Sequence, residues 1–373
     1  MTPIPLSLYI HIPWCIRKCP YCDFNSHQIT KVIPETEYIQ ALLLDLKQNL
    51  PKDRTINSIF IGGGTPSVLS VTAISELLSA IKTKFLVKEN AEITMEVNPG
   101  VADKLAGFGT AGVNRLSLGI QSFNDKYLQT LGRIHDRTEA IQAIKTAQQI
   151  GFNNINLDLM FGLPNQTVTD ALQDLQTTVS CQPTHISWYQ LTIEPNTYFH
   201  HKVPKNLPDD DLLWQIQTAG QKYLATQGYV QYEVSAYAKS GYQCQHNVNY
   251  WKFGDYLGIG AGAHSKITNN TTITRFSKPN HPVAYLKSTS ATETNILTDT
   301  DIILEFMMNA LRLLEGFTET EFANNTGLNI NHIKKPIQQA LTKGWLQKRQ
   351  QHIYTTETGM CFLNNVLELF MEA

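Results

Sequence analysis

Cys15, Cys19 and Cys22 stand in the spacing C-x3-C-x2-C, which places three of the chain's six cysteines within eight residues. Thiolates this close can converge on one metal centre. They follow the apolar, β-branched run Leu6–Ile12, and Pro13 ends that run, so they sit on a loop at the end of a strand. A structural zinc site takes four ligands, usually as two close pairs. The chain holds no second C-x2-C and no H-x3-H pair, and three ligands suit an iron–sulfur cube with one iron left open. Disulfides are not expected: no Lys or Arg precedes Arg17, and Pro3, Pro5 and Pro13 break the early apolar stretch, unlike a secretion signal. Cys181 and Cys361 stand alone and read as ordinary buried thiols.

Other reactive residue types recur at the ends of strand-like runs. Gly62-Gly63-Gly64-Thr65-Pro66 follows the run 58–61, and Glu96-Val97-Asn98-Pro99 closes the run 92–97. Gly119 to Ser122 follows 115–119, Asp158 to Pro164 closes 154–159, and Gln190-Leu191 ends 185–191. The glycine run is either a tight turn or a backbone that lets N–H groups approach a ligand closely. Glu96 is either a surface carboxylate or, if buried, one that needs a partner such as a ligand ammonium or hydroxyl. His135 and His185 read as histidines with satisfied hydrogen bonds, and His11 is assigned no role.

The elements that must position these residues alternate. Helical stripes such as Tyr38–Leu50, with Ile39, Leu42, Leu43 and Leu46, and Val71–Phe85 lie between the strands. This is the pattern of βα units around a parallel sheet. Six such units would present all the motifs on one C-terminal face, where sites of βα barrels are built. After about Phe199 the rhythm stops. A helix over 209–227, a strand-like run 229–237, the stretch His246 to Trp251 and a glycine-rich segment 254–265 follow. The last part reads as helices over 302–314, after the cap Thr318 with Glu321, and over 333–341. A hairpin around 344–354 follows them, in a winged-helix-like order. The expected divisions are 1–200, 201–295 and 296–373.

With 42% hydrophobic and 17% charged residues and a net charge of -2, the composition is that of an ordinary globular enzyme. No global field recruits nucleic acid, and the basic residues of the last domain are too few for that role. No apolar stretch reaches membrane-spanning length, so a cytoplasmic protein is expected. An amphipathic C-terminus, 361–371, is the one route to peripheral membrane contact.

The run Tyr9 to Cys15, YIHIPWC, with Tyr21 before Cys22, resembles the radical S-adenosylmethionine superfamily. Within it, the chain is similar to the branch holding oxygen-independent coproporphyrinogen III dehydrogenase and its haem-chaperone paralogue. The resemblance implies an α/β fold, a partial (βα)6 TIM-like barrel. It also implies a [4Fe-4S] cluster on Cys15, Cys19 and Cys22, whose open iron is chelated by the amino and carboxylate groups of S-adenosylmethionine. An electron from the cluster then cleaves the sulfonium. Gly63, Gly64 and Thr65 are implied at the methionyl amino group, with Tyr9, Tyr21, Glu96, Gln121, Arg133 and Asp158 also around S-adenosylmethionine. Arg133 is otherwise a loop cation.

Two departures separate the chain from the dehydrogenase pattern. Phe24 occupies the position of an additional cysteine, and the first strand begins by residue 6 without an extension before it. Both count against decarboxylation of coproporphyrinogen. The stretch His246-Asn247-Val248-Asn249-Tyr250-Trp251 matches the H-N-x-x-Y-W signature of the chaperone branch. His246 would supply an imidazole to haem iron, with Cys244 as the alternative ligand. Tyr250 and Trp251 would offer apolar faces, beside Asn247. The plain alternative is that the motif packs an insertion against the barrel. The implied function is delivery of haem to apo-haemoproteins, of the respiratory chain, with an electron donor for the cluster and a homodimer left open. The other implied readings are the dehydrogenase itself and a non-catalytic, cluster-dependent regulator working through the C-terminal domain.

Overall fold

Six strands pair side by side in chain order, all parallel, in the computed structural model, which describes residues 4–270 and 272–371. They are β1 (Leu6–Ile12), β2 (Ile56–Gly63), β3 (Val87–Val97), β4 (Arg115–Gln121), β5 (Ile155–Phe161) and β6 (His185–Gln190). Parallel neighbours need crossovers. Helices α1 (Glu35–Asn49), α2 (Val71–Lys84), α3 (Leu105–Ala111), α4 (Arg137–Ile150) and α5 (Val168–Ser180) supply them. Each presents one apolar stripe to the sheet; α2 buries Ala73, Ile74, Leu77, Leu78 and Ile81. Three of these helices, α2, α4 and α5, start on side-chain caps: Ser70 accepts from Ala73 N, and Asp136 with Glu139 and Thr167 with Asp170 form capping boxes. Helix α1 begins at Glu35, ahead of its apolar stripe, because the Glu35 carboxylate is held by Ser70 N and Oγ.

The sheet is larger than the six-strand pattern. Residues 255–259, within the glycine-rich segment 254–265, form β9 (Asp255–Ile259), parallel to β1 on its other edge. Glycine weakens strand signals, but Gly258 is required here: a Cβ would lie 2.1 Å from the His264 carbonyl oxygen. Strands β10 (His264–Asn269), β11 (Thr272–Ser277) and β12 (Glu293–Ile296) continue antiparallel beyond it. On the far edge the single expected run 229–237 is two strands, β7 (Val230–Glu233) and β8 (Ala236–Ala238), with β8 paired to β6. The order is β12-β11-β10-β9-β1-β2-β3-β4-β5-β6-β8-β7, linear, so the barrel stays open. Helix α6 (Asp210–Thr226) packs against α5, and α7 (Gln245–Trp251) lies over β1, β2 and β9.

The C-terminal part has its own core around Phe306, Phe317, Phe322, Ile353 and Phe370. It is built from α8 (Asp299–Ala310), α9 (Glu319–Thr326), α10 (Lys334–Thr342) and a three-stranded sheet of 317–318, 352–355 and 346–349. The helix expected to reach Leu314 stops at Ala310, because Leu313 bridges to Glu233 at the sheet edge. Within 361–371, Val366 and Phe370 are fully buried in this core, while Phe362 and Met371 stay exposed. Cys361 is exposed rather than buried. Among the described residues no helix is long and apolar enough to cross a membrane.

Candidate functional site

The cysteine loop is pinned at both ends. Trp14–Cys15 pairs with His27–Gln28 in a two-residue ladder, and Gly64 N and Thr65 N donate to the Ile12 and Trp14 carbonyls. A side chain at Gly64 would put its Cβ 2.6 Å from that Trp14 oxygen. Thr65 Oγ1 donates to Cys15 Sγ at 3.4 Å and Arg133 Nη1 to Cys19 Sγ at 3.6 Å. Burial pushes the Cys15 and Cys22 thiols up, Cys22 to about 11, so metal binding here releases protons. No trio of His, Cys, Asp or Glu among the described residues is drawn together tightly enough for a single ion. A four-iron cube instead takes each thiolate on a different iron, and the donor set suits it.

All the residues expected at the cluster and S-adenosylmethionine except Tyr9 line one cavity of ≈ 400 Å³: the three cysteines, Tyr21, Gly63, Gly64, Thr65, Glu96, Gln121, Arg133 and Asp158. Register explains the convergence. Glu96 pairs with Ser117, Ser117 with Asn156 and Asn156 with His185, so one polar row crosses β3 to β6. Asp158, two residues above Asn156 on the same face, accepts from Ser117 Oγ at 2.9 Å and from Asn156 Nδ2 at 2.8 Å. Burial raises the Asp158 pKa against these bonds. Asn156 is fixed in turn by His185 Nδ1 at 2.6 Å, whose Nε2 meets the Tyr232 hydroxyl. His185 is therefore a satisfied histidine, as is His135, whose Nε2 bonds the Ile120 carbonyl at 3.1 Å.

Gln121 sits at a bulge of β4 with φ 70, an uncommon conformation for a residue with a side chain, and Tyr189 donates to its Oε1 at 2.7 Å. Arg133 donates from Nη2 to Asn98 Oδ1 and the Gly119 carbonyl, at 2.6 and 2.7 Å. Its buried Nε has no partner. Glu96 accepts from Gly63 N at 3.1 Å. Burial, and then the neighbouring Asp158, push Glu96 up to about 8. The glycines leave a cradle: a Cβ at Gly63, where φ is 109, would strike the His11 ring. An unpartnered guanidinium nitrogen, a raised carboxyl and a side-chain-free ledge together fit an amino-acid moiety beside a cluster. Sequence reasoning did not single out Ser117, Asn156 or Tyr189; a polar residue interrupting an apolar strand was the available signal.

Glu96 makes stability pH-dependent. Between the ordinary carboxyl value and about 8, the folded chain holds a proton that the unfolded chain releases. Stability of the cofactor-free protein therefore falls as pH rises through that window, by up to about 1.4 kcal/mol per pH unit. Glu96→Gln should flatten the decline in melting temperature between pH 5 and 8. Parallel curves for the two proteins would show that Glu96 does not titrate there.

A second cavity of ≈ 1040 Å³ adjoins the first, and Asp23, Phe24 and Ser26 of the cysteine loop line both. Tyr9 belongs to this second wall, because its hydroxyl turns to His11 Nδ1 at 3.0 Å. His246 and Tyr250 also line it. Burial pushes the His246 pKa down to about 4, leaving a neutral imidazole, the form that ligates metals. Asn247 and Trp251 line neither cavity. Trp251 points the other way, under Arg312 at 4.5 Å and into the cluster of Tyr232, Ala236 and Leu313. One turn of helix cannot present consecutive residues to one side. Cys244 is fully buried, with its Sγ on Glu92 at 3.5 Å, and lines neither of these two cavities.

The chain matches the family model of the radical SAM superfamily over residues 9–177 and that of the HemN C-terminal domain over 297–362. It is 51% identical over 376 residues to the protein named heme chaperone HemW of Haemophilus influenzae, covering 98% of each chain. Its identity to the protein of the same name in Escherichia coli is 48% over 372 residues, again covering 98% of each. The solved structure of coproporphyrinogen III oxidase (HemN) from Escherichia coli superposes with a TM-score of 0.83 and 23% identity, covering 99% of this chain and 90% of that one. That likeness shows the shared fold.

Proposed function

The chain belongs to the HemW family within the radical SAM superfamily, and from that premise we propose that it is a haem chaperone: it binds a [4Fe-4S] cluster, S-adenosylmethionine and haem, and passes haem to apo-haemoproteins. The observation that carries this reading is the cysteine loop acting as the partition between two cavities, with Asp23, Phe24 and Ser26 facing both. When bound, the cluster and S-adenosylmethionine supply one-electron chemistry.

The chain's own residues do the rest. Cys15, Cys19 and Cys22 hold the cluster. Gly63 and Gly64 open their backbone to the methionyl end, Glu96 takes its ammonium as its own proton leaves, and Arg133 takes its carboxylate. Asp158 and Gln121 hold the more distant polar groups, each fixed beforehand by Ser117 and Asn156 or by Tyr189. Tyr21 closes the cysteine side. Haem lies in the larger cavity against His246 and Tyr250. The recipients are respiratory apo-haemoproteins, and an electron donor serves the cluster. Of the divisions 1–200, 201–295 and 296–373, the first holds the cluster and S-adenosylmethionine, the first and second together line the haem cavity, and the third is the docking module.

The test is a haem titration of anaerobically reconstituted protein, run beside an assay of coproporphyrinogen III conversion with S-adenosylmethionine and a strong reductant. Stoichiometric haem uptake, transfer to an apo-haemoprotein and no decarboxylation are expected, with altered haem absorption bands in His246→Ala. Turnover to protoporphyrinogen would overturn the chaperone reading.

A further inference from the structure

The wall of the larger cavity carries chemistry that the reading above leaves unused. Its lining holds two cations, Lys18 and Arg275, against one carboxylate, Asp23. Lys18 turns its ammonium back to the Phe24 and Ser26 carbonyls, so it braces the cysteine loop. Arg275, on β11, is held differently. Its Nε and Nη2 both meet Glu305 Oε2 at 2.7 Å, and its Nη1 donates to the Tyr256 hydroxyl at 2.5 Å. A guanidinium has five N–H donors in a rigid plane. Three are used, and one remains on each terminal nitrogen. Two donors on a group already locked in place suit the paired oxygens of a carboxylate.

The surroundings specify the rest of that ligand. Tyr250 and Tyr256 lie 5.0 Å apart between ring centroids, and Tyr256 sits beside the Arg275 guanidinium at 5.9 Å. His246 lies 5.1 Å from Phe60 and 6.2 Å from Tyr9. The wall is thus aromatic with a cation at its edge. Cavities of roughly 300–1,000 Å³ bury most of a drug-sized ligand, and this one is at the top of that range, whereas the cofactor cavity is less than half its size.

We propose that this cavity seats a flat metallo-tetrapyrrole dicarboxylate and that Arg275 anchors one of its propionates, with Glu305 on α8 fixing the guanidinium. The inference rests on the haem reading above and adds a specificity-determining residue to it. It also gives the C-terminal core a task, since Glu305 is the contact through which that core orients the anchor.

The ligand-side test is a titration of the full-length, cluster-reconstituted protein with haemin and with haemin dimethyl ester, followed at the Soret band. The wild type should bind the diacid about tenfold or more tightly than the ester, the scale of one charge-assisted pairing. In Arg275→Gln the diacid should weaken to the level of the ester, while the ester and the cluster iron content stay as in the wild type. Glu305→Gln should lower the preference partway. Equal affinity of the wild type for the two ligands would overturn the anchor without any variant, and so would an Arg275→Gln protein that keeps the preference. Failure of the wild type to bind either ligand is a different result: it removes the haem reading itself.

Discussion

Replacing Cys15, Cys19 and Cys22 together by serine will strip anaerobically purified protein of its iron and sulfide, from about four irons per chain to a trace. Serine keeps the size of each side chain but offers a hydroxyl that does not ionise near neutral pH, so the cluster loses every protein ligand. The loop should keep its course, because its ladder to His27–Gln28 and the bonds from Gly64 and Thr65 are made by the backbone. The variant should therefore remain folded, retain the far-ultraviolet signature of the sheet, and lose the brown chromophore. Each single serine variant should lose most of the cluster too, since only three ligands are available. Iron and sulfide contents equal to the wild type in the triple variant would remove the cluster assignment from this loop.

Lys278→Met is the change expected to cost most stability without touching either cavity. Lys278 and Asp45 are completely buried with 2.6 Å between Nζ and Oδ1, tying α1 to the end of β11 across more than half the chain. Tyr285 donates to the other carboxylate oxygen at 2.7 Å, and Lys278 also donates to the Thr289 carbonyl. Removing one partner leaves an uncompensated charge, which costs roughly 3–5 kcal/mol. Burial already raises the Asp45 pKa, with Lys278 opposing it. Without Lys278 that pKa rises further, and the folded chain keeps a proton that the unfolded chain releases. The deficit relative to wild type should thus grow as pH rises above the ordinary carboxyl value. Adding Asp45→Asn should recover a good part of the loss in denaturant midpoint. A double variant as unstable as Lys278→Met would show that the cost arises from packing and not from the stranded carboxylate.

Site residues were legible where chemistry broke a local pattern. Cys15, Cys19 and Cys22 are three thiols in one loop, and Glu96 and Asp158 are carboxylates at the ends of apolar strands. Gly63 and Gly64 are glycines where a strand should end in bulk. Each signal is confined to a few consecutive residues, and all seven line the same cavity. Ser117, Asn156 and Tyr189 gave no comparable signal, because a single polar residue in a strand gains meaning only from its neighbours across the sheet.

The haem motif shows the opposite limit. His246 to Trp251 reads as one unit along the chain, yet helix α7 sends His246 and Tyr250 to one side and Trp251 to the other. The 3.6-residue period divides what the motif joins.

The sequence by itself determined the six βα units, the cysteine loop and the face on which the motifs collect, because strand alternation, helix stripes and metal-ligand spacing are all short-range properties. The tertiary structure alone decided that β9 closes against β1, that Asp45 meets Lys278 and that Arg275 meets Glu305. It also decided that Tyr9 belongs to the larger cavity. These pairings join segments that are remote along the chain, and their energies depend on burial and mutual orientation, which exist only once the sheet has brought the partners together.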